Sequence, residues 1–216
     1  MDFEDQRAAL VSAAHRLAHR HLVIGTGGNL SIRLEDRILV TPSGADLEFL
    51  TPEQAVVTDL DGAVLVDTAY VPTSELLLHL EIYRSTSAKA VAHAHPVASI
   101  AVANLVDELP AVHYTAALVG GGVRVAPHEV FGTQELTDAV AKALVERTAA
   151  LMRNHGSVAY GDTIESACQR IELVEWLAEI YLRTAAVGDG AVLNQEQLVA
   201  VAMAAAQRGY SPISRR

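Results

Sequence analysis

The sequence predicts an α/β fold: a single domain over residues 1–216, with three layers in which helices cover both faces of a central mixed, mostly antiparallel sheet. Its length suits one domain with one substantial core. Two early segments alternate apolar and polar residues around turn dipeptides, and later helical patterns alternate with short apolar strands. Hairpins mixed with helices favour this sheet over a doubly wound parallel one.

The first third of the chain contains one helix and two hairpins. Residues 3–21 carry apolar residues at helical spacing, and "GTGGNLS" ends that helix. In "LSIRLEDRILV" apolar residues alternate with polar ones up to Leu34, Glu35–Asp36 form a turn, and the apolar run 38–40 returns, which predicts a hairpin. The segment "AVVTDLDGAVL" repeats the pattern around Asp61–Gly62, a strong turn dipeptide, and predicts a second hairpin.

The rest of the chain alternates helices with strands. "PTSELLLHLEIYRS" predicts an amphipathic helix with Thr73 or Ser74 as its cap, and "PVASIAVANL" predicts a helix with proline in its first turn. Strands are predicted at "AKAVAHAH", "TAALMRNHG" and "SVAYG", with further extended structure over residues 111–126. The remaining predicted helices are "TQELTDAVAKALVE" and residues 163–186 and 193–208.

Composition and charge exclude several classes of function. Half of the residues are hydrophobic, which suits a well-packed domain and is far from disorder. The net charge of −10 argues against a general binder of nucleic acid or of anionic membranes, because either needs a basic face. A small anionic ligand stays compatible with this charge, since a local pocket of backbone N–H donors can hold it.

The single cysteine and the N-terminal sequence bear on the compartment. Cys168 is the only cysteine, so no intrachain disulfide can form, which fits a reducing environment. The start, "MDFEDQRAAL", is acidic where a signal peptide would be basic, and no apolar run approaches ~20 residues. We therefore expect a cytoplasmic protein.

Two histidines in "KAVAHAHPVASI" are candidate metal ligands. Side chains at i and i+2 of a strand point to the same face, so His93 and His95 project together. A pair of hydrogen-bonded histidines at a sheet end is an equally good reading of this motif alone. A catalytic zinc site typically uses three protein ligands and keeps one position open. His155 supplies the third candidate, because it ends an apolar strand just before a glycine that permits a sharp turn.

A carboxylate accompanies these histidines. Glu75 lies in "VPTSELLLH", at the predicted first turn of a helix. An acidic residue there can simply favour the helix dipole, or it can act as an acid/base group beside a Lewis-acidic ion. Spacing alone leaves both readings open. Six other histidines are assigned no metal role: His15, His19, His21, His79, His113 and His128.

In combination, these motifs resemble the class II (zinc-dependent) aldolase and adducin family, typified by L-fuculose-1-phosphate aldolase. The resemblance spans nearly the whole chain and matches in order and spacing. It is carried by "GTGGNLSIR", "LVTPSG", "PTSE", "VAHAHP", "AVHYTAALVGGGV", "FGT" and "RNHGSVAYG". It implies the class II aldolase fold, usually assembled as a homotetramer with active sites at the subunit interfaces.

The resemblance also implies roles for particular residues. Zinc, or alternatively manganese or cobalt, would be held by His93, His95 and His155, and by Glu75 when the substrate is absent. Glu75 would be the acid/base, while Tyr114 and Tyr210 match two family tyrosines, of which Tyr114 would donate a proton to the aldehyde oxygen. A packed strand aromatic is an equally good reading of Tyr114. Three loops would bind the substrate phosphate: Gly28-Asn29, Ser43-Gly44 and Thr73-Ser74. Backbone N–H groups, hydroxyls and a helix N-terminus suit an anion.

The implied reaction is reversible cleavage of a phosphorylated ketose, of the L-fuculose 1-phosphate type, to dihydroxyacetone phosphate and a short aldehyde such as lactaldehyde. Zinc would stabilise the enediolate, and no lysine in an apolar strand supports Schiff-base chemistry instead. Alternatives within the family are a 5-deoxyribulose-1-phosphate aldolase and an L-ribulose-5-phosphate 4-epimerase. An alternative of another class is a non-catalytic, adducin-like interaction module, which would predict lost zinc ligands.

Overall fold

One eight-stranded sheet organises the protein, whose computed structural model describes residues 3–209. The strands are β1 Asn29–Leu34, β2 Arg37–Val40, β3 Val56–Asp59, β4 Ala90–Ala94, β5 Glu108–Leu109, β6 Val123–Ala126, β7 Ala149–Met152 and β8 Gly156–Gly161. Their order across the sheet is β3-β2-β1-β4-β8-β7-β6-β5. Only β6 and β7 pair in parallel, so the predicted mixed, mostly antiparallel sheet is confirmed.

Helices cover both faces of this sheet. They are α1 Glu4–His19, α2 Leu76–Ser85, α3 Val97–Ala103, α4 Gln134–Ala143, α5 Ile164–Ala185 and α6 Gln195–Gln207, with two 3₁₀ helices at Pro52–Gln54 and Tyr114–Val119. On one face α1, α3 and α5 pack in one apolar cluster, and on the other α2 and α4 pack in a second. The predicted three-layer α/β/α fold is therefore confirmed. Among residues 3–209, no helix combines the length and apolar composition needed to cross a membrane.

The central strand β4 divides its side chains between the two clusters. Ala90, Ala92 and Ala94 face α5, and their small size lets this long helix pack closely on the sheet. Val91 faces the other cluster, toward α2, and the strand periodicity puts His93 on that same side. The pattern of alternating alanines thus reserves one face of β4 for the helix and leaves the other for the histidine.

Two predicted elements are corrected by the structure. The segment around Asp61–Gly62 is not a full hairpin. β3 pairs with β2, and the chain after Gly62 pairs with β3 only through an isolated bridge, Thr58–Val64. Residues 111–126 are not extended throughout. Tyr114–Val119 form a 3₁₀ helix, closed by Gly120 at a φ of 95°, and the strand begins only at Val123.

Two helix starts also differ from their predictions. Neither Thr73 nor Ser74 caps α2, because the N-cap position is taken by Glu75 and no side chain bonds the first turn from it. Thr73 instead accepts a hydrogen bond from the Glu75 N–H through its hydroxyl, at 3.3 Å. Pro96 precedes α3 as its N-cap residue and does not lie in its first turn. The chain therefore turns sharply just before α2, and that turn places Glu75.

Candidate active site

The three candidate histidines meet at one end of the sheet. His93 is the fourth residue of β4 and is fully buried, while His95 follows the end of that strand. His155 lies in the turn between β7 and β8, and β8 is the neighbour of β4. The ring centroids are 4.7 to 5.2 Å apart, and the three candidate ligand nitrogens lie within 4.8 Å of one another. His93 and His95 therefore project toward the same point, as their spacing of two along the strand predicts.

Hydrogen bonds fix the turn that carries His155. Asn154 has a φ of 55°, a conformation that asparagine tolerates better than most residues. Its N–H donates to Asn104 Oδ1 at 3.0 Å, and the His155 N–H donates to the Met152 carbonyl at 3.2 Å. Asn104 is the C-cap residue of α3, so this helix end holds the turn against the sheet.

Glu75 faces the histidines from the start of α2. Its Oε2 lies 3.1 Å from His93 Nε2, and its Oε1 lies 3.4 Å from His155 Nε2. Asn29 Nδ2 donates to Oε2 at 2.8 Å. Asn29 opens β1, where it stands directly opposite His93 across the β1–β4 pair. The carboxylate is therefore held in a cluster of polar groups from β1, β4 and the β7–β8 turn.

The polarity of His93 suits a cation. His93 Nδ1 lies 2.9 Å from the Ser157 carbonyl oxygen, which only accepts, so Nδ1 carries the hydrogen. In the neutral ring, Nε2 then presents a lone pair to His95 Nε2 at 2.9 Å and to Glu75 Oε2 at 3.1 Å. Within residues 3–209, Glu75 Oε1 is a buried oxygen without a hydrogen-bond partner. Lone pairs crowded in this way fit a divalent ion bound by imidazole and carboxylate.

The electrostatics leave His95, His155 and Glu75 without protons at neutral pH, whereas the negative charge of Glu75 raises the pKa of His93 against the effect of its burial. Burial lowers the pKa of His95 to about 4, with the charge of His93 adding to the effect. Burial likewise lowers the pKa of His155 to about 4. Burial alone would raise the pKa of Glu75, but the charge that His93 carries when protonated, the hydrogen bond it donates in that form and the hydrogen bond from Asn29 outweigh burial and hold that pKa well below its usual range. A metal ion would meet His95, His155 and Glu75 already in their binding forms and would compete with a proton at His93.

A cavity of about 370 Å³ opens beside this cluster. All six residues of the predicted phosphate loops line it: Gly28, Asn29, Ser43, Gly44, Thr73 and Ser74. Within the described part of the chain, no lysine or arginine lines it. Glu75, His95 and His155 line the side of the cavity next to the histidine cluster, and the loops add hydroxyls, an amide and glycine backbone, the kind of lining that the sequence predicts for an anion held by a protein of negative charge.

Backbone contacts bring these loops together. The Ser43 N–H donates to the Val71 carbonyl at 2.8 Å, and the Thr73 N–H donates to the Thr41 carbonyl at 3.1 Å. At Gly28, where φ is 85°, a Cβ would lie 3.0 Å from the His93 carbonyl oxygen and 2.7 Å from a methyl of Val23. Glycine is therefore required for the close approach of this loop to β4.

Of the two predicted tyrosines, only Tyr114 lies within the described residues, and it does not line this cavity. Tyr114 is the first residue of a 3₁₀ helix, is 55% exposed, and is not among the residues that line the cavity. The reading of Tyr114 as a packed aromatic in a strand is therefore wrong, while its catalytic role stays a prediction. Tyr210 lies outside the described residues.

The structure adds residues that the sequence did not single out. Thr26, Gly27, Pro42 and Phe131 complete the cavity lining. All four belong to motifs that carry the family resemblance: Thr26 and Gly27 to "GTGGNLSIR", Pro42 to "LVTPSG" and Phe131 to "FGT". These motifs therefore marked the loops without marking the side chains. His79, which was assigned no metal role, is fully buried and donates from Nε2 to Asn29 Oδ1 at 2.6 Å. Its spacing of four from Glu75 in one helix was the available signal.

Comparison with known proteins agrees with this geometry. A family model described as Class II Aldolase and Adducin N-terminal domain matches residues 8–182. The 5-deoxy-D-ribulose 1-phosphate aldolase of Bacillus thuringiensis serovar kurstaki is 35% identical over 201 residues, which are 92% of this chain and 94% of the relative. The L-fuculose phosphate aldolase of Escherichia coli is 39% identical over 180 residues, 82% of this chain and 83% of the relative. A solved L-fuculose 1-phosphate aldolase superimposes with a TM-score of 0.90 at 35% identity, covering 94% of this chain and 97% of its own.

Proposed function

Because the chain belongs to the class II aldolase and adducin family and is an aldolase, we propose that residues 1–216 act as one domain that reversibly cleaves a ketose 1-phosphate to dihydroxyacetone phosphate and a short aldehyde. The observation that carries this proposal is the position of Glu75. Its carboxylate faces His93 and His155 and also lines the cavity bounded by the three loops. A base, a candidate metal site and a candidate phosphate pocket therefore share one space.

We assign the metal to His93, His95, His155 and Glu75, and take zinc as the ion. Three imidazoles with a carboxylate suit zinc, although manganese and cobalt accept the same donors. When bound there, the ion would polarise the substrate carbonyl and stabilise the negative charge that develops on its oxygen. Glu75 has the geometry of the acid/base group: it lines the cavity, where its carboxylate would take the proton from C3 of dihydroxyacetone phosphate in the condensation direction.

The phosphate is assigned to the loops that line the cavity. Asn29 and Thr73 are buried at its base, and Gly44 adopts a positive φ of 71° that opens a backbone N–H to a ligand. Such backbone and hydroxyl donors hold an anion without a lysine cluster. The substrate is thereby oriented with its phosphate at the loops and its reacting carbons beside Glu75.

The aldehyde end of the substrate is assigned to residues outside the cavity of one chain. Tyr114 and Leu118 are both more than half exposed on the same 3₁₀ helix, and Trp176 is partly exposed next to His113. We propose a homotetramer in which Tyr114 of one subunit completes the site of its neighbour and donates a proton to the aldehyde oxygen. Tyr210 is assigned to the same end of the substrate.

Two ketose phosphates are the leading substrates. L-fuculose 1-phosphate is supported by the higher identity of 39%, and 5-deoxyribulose 1-phosphate by a match over 94% of a relative that acts on it. They differ in the aldehyde released, and discrimination by a single small group is worth only ~1–3 kcal/mol. We propose the L-fuculose type first and the 5-deoxy sugar as the second candidate.

The test is a comparison of kcat/KM for both sugars and for L-ribulose 5-phosphate, with dihydroxyacetone phosphate measured as product. We expect cleavage of at least one ketose 1-phosphate, its loss on chelation, and recovery on adding back zinc. Inversion of L-ribulose 5-phosphate without cleavage would instead show an epimerase. Stoichiometric metal with no chelator-sensitive turnover on any phosphorylated ketose would overturn the proposal.

A further inference from the structure

Four buried polar side chains form a continuous hydrogen-bonded row that ends on Glu75. Tyr83 Oη lies 2.7 Å from Ser31 Oγ, which lies 2.6 Å from His79 Nδ1. On its other side, His79 Nε2 lies 2.6 Å from Asn29 Oδ1, and Asn29 Nδ2 lies 2.8 Å from Glu75 Oε2. Tyr83, Ser31 and His79 are each at most 1% exposed and do not line the cavity. We call these four residues, Tyr83, Ser31, His79 and Asn29, the buried row.

The buried row is built by two regular elements with matching periods. Glu75, His79 and Tyr83 follow one another at intervals of four, so they lie along one face of α2. Asn29 and Ser31 are two residues apart in β1, so they point to one face of the sheet. The side chains of α2 and β1 therefore alternate along the row, which makes every bond in it a contact between helix and strand.

The direction of each hydrogen bond follows from the chemistry of the groups. A carboxylate only accepts, so Asn29 must present its N–H to Glu75 and its carbonyl oxygen to His79. His79 Nε2 must then carry a hydrogen. Burial lowers the pKa of His79 to about 3, so the ring is neutral and Nδ1 accepts. The Ser31 hydroxyl consequently donates to His79, and the Tyr83 hydroxyl donates to Ser31.

This polarity has a consequence for Glu75. Its Oε2 receives the Asn29 N–H and lies 3.1 Å from His93 Nε2, whereas Oε1 has no hydrogen-bond partner among residues 3–209. If the Asn29 amide turned over, its carbonyl oxygen would face Oε2, and two acceptors would repel each other. With a hydrogen on His79 Nε2, the rotated amide would also place its own N–H against a donor, so Glu75 and His79 together hold Asn29 in one orientation.

We propose that His79 is a positioning residue for the aldol reaction: through Asn29 it fixes which oxygen of Glu75 is bound and which is free to move the proton. This inference rests on the proposed function, since it assigns the base role to Glu75. Asn29 also lines the cavity, where we assign it to the substrate phosphate. One buried histidine thereby sets the orientation of both the base and a substrate-binding amide.

A purely structural role for His79 predicts a different outcome. In that case its replacement would lower the thermal midpoint in proportion to the lost packing and hydrogen bonds, and the enzyme that remains folded would turn over normally. A positioning role predicts loss of kcat in folded, metal-loaded enzyme. It also predicts rescue by a side chain that places an N–H donor where His79 Nε2 stands.

The experiment compares His79→Gln with His79→Leu in the full chain. The glutamine amide nitrogen reaches the position of Nε2, while leucine fills space without donating. We expect His79→Gln to keep kcat within about threefold of the parent, and His79→Leu to lose about 100-fold or more, the usual effect of a misplacement near 1 Å. Metal content and the cooperativity of unfolding should be equal in both. A folded, metal-loaded His79→Leu with parental kcat, or a glutamine variant no better than leucine, would overturn the proposal.

A second measurement keeps the inference testable if His79→Leu does not fold. Ring ¹⁵N spectra of the unmodified protein should show one neutral Nε2–H histidine whose signals vanish in His79→Gln, and Tyr83→Phe should perturb that ring. A cationic or Nδ1–H ring at His79 would refute the row. These spectra need no turnover, so an absence of activity on every ketose phosphate would count against the proposed function, while the spectra would still decide the orientation of the row.

Discussion

Replacing Gly27 by alanine should weaken metal binding through a displacement of His95. A Cβ on Gly27 would lie 2.6 Å from His95 Nδ1 and 3.1 Å from both His95 Cε1 and the Ile24 carbonyl oxygen. An ordinary contact begins at 3.4 Å, so the ring must move by about 0.8 Å. Gly156 approaches the same ring at Cδ2, where a Cβ would lie 2.8 Å away, so the ring is confined at two points.

The size of the effect follows from this displacement. Ligand distances in metal sites are held within about 0.2 Å, so a shift of about 0.8 Å exceeds the tolerance about fourfold. Changes in the groups that orient a metal ligand typically lower affinity by about 10–100-fold, and we expect a loss in that range. The assay is a zinc titration in competition with a chelating dye, with unfolding followed in parallel.

Gly25 supplies a matched control in the same loop. A Cβ on Gly25 would meet nothing within 4 Å, but its φ of 56° strains any other residue. Gly25→Ala should therefore lower the free energy of unfolding by about 1–2 kcal/mol and leave zinc affinity unchanged. Gly27→Ala should instead lower zinc affinity and change the free energy of unfolding less. Parental zinc affinity in a folded Gly27→Ala variant would refute the steric reasoning.

Three further predictions concern the same site. Glu75→Gln should keep the metal and lose about 100–10,000-fold in turnover; near-normal exchange of the C3 proton of dihydroxyacetone phosphate with D₂O, measured by NMR, would refute the base role. Burial lowers the pKa of His95 and of His155 to about 4, below the value near 6.5 of an unfolded chain, so protons bind preferentially to the unfolded state as pH falls. The thermal midpoint of chelated protein should thus drop between about pH 6.5 and 4, and a midpoint that rises would contradict this. Asn104→Ala removes the acceptor of the Asn154 N–H and should weaken zinc binding with only a small change in the thermal midpoint, whereas unchanged affinity would show that the turn holds His155 without it.

Elements with clear periodicity could be predicted from the sequence, and elements set by packing could not. The long helix Ile164–Ala185 and the hairpin Asn29–Val40 carry unbroken patterns, and both were found where predicted. The run "YTAALV" is short and apolar, which periodicity cannot distinguish between strand and helix. The local hydrogen bond from the Thr115 N–H to the His113 ring decided for a 3₁₀ helix.

The predicted second hairpin failed for a different reason. The strand Val56–Asp59 is the last in the sheet and already pairs with its other neighbour, so a returning strand would have been a new edge. Asp67 and Thr68 interrupt the apolar segment after Gly62, Pro72 forms a bridge with Pro42 instead, and the bridge to Val56–Asp59 is confined to Val64. Local sequence specified the turn, but the sheet decided how far pairing continued.

In the site, the sequence predicted the contact between side chains that are close together along the chain. It did not predict contacts between residues that only the folded structure brings together. The pair His93 and His95 follows from strand geometry alone. The contact of His79 with Asn29 links residues 50 positions apart, and it exists only because α2 packs on β1. The spacing of four from Glu75 puts His79 on the same helix face, but this spacing does not separate a buried histidine from a surface one until its burial is known.

The position of β4 at the centre of the sheet has a consequence for biosynthesis. Its partner β8 begins about 60 residues after β4 ends, and at about 5–20 residues per second the ribosome needs about 3–12 s to make that stretch. During this interval the edge of an apolar strand stays open on the nascent chain, where it is prone to pair with other chains. The metal offers no protection, because His155 emerges only just before β8. Yield in vivo should therefore depend on chaperones that cover this edge more than on zinc in the medium.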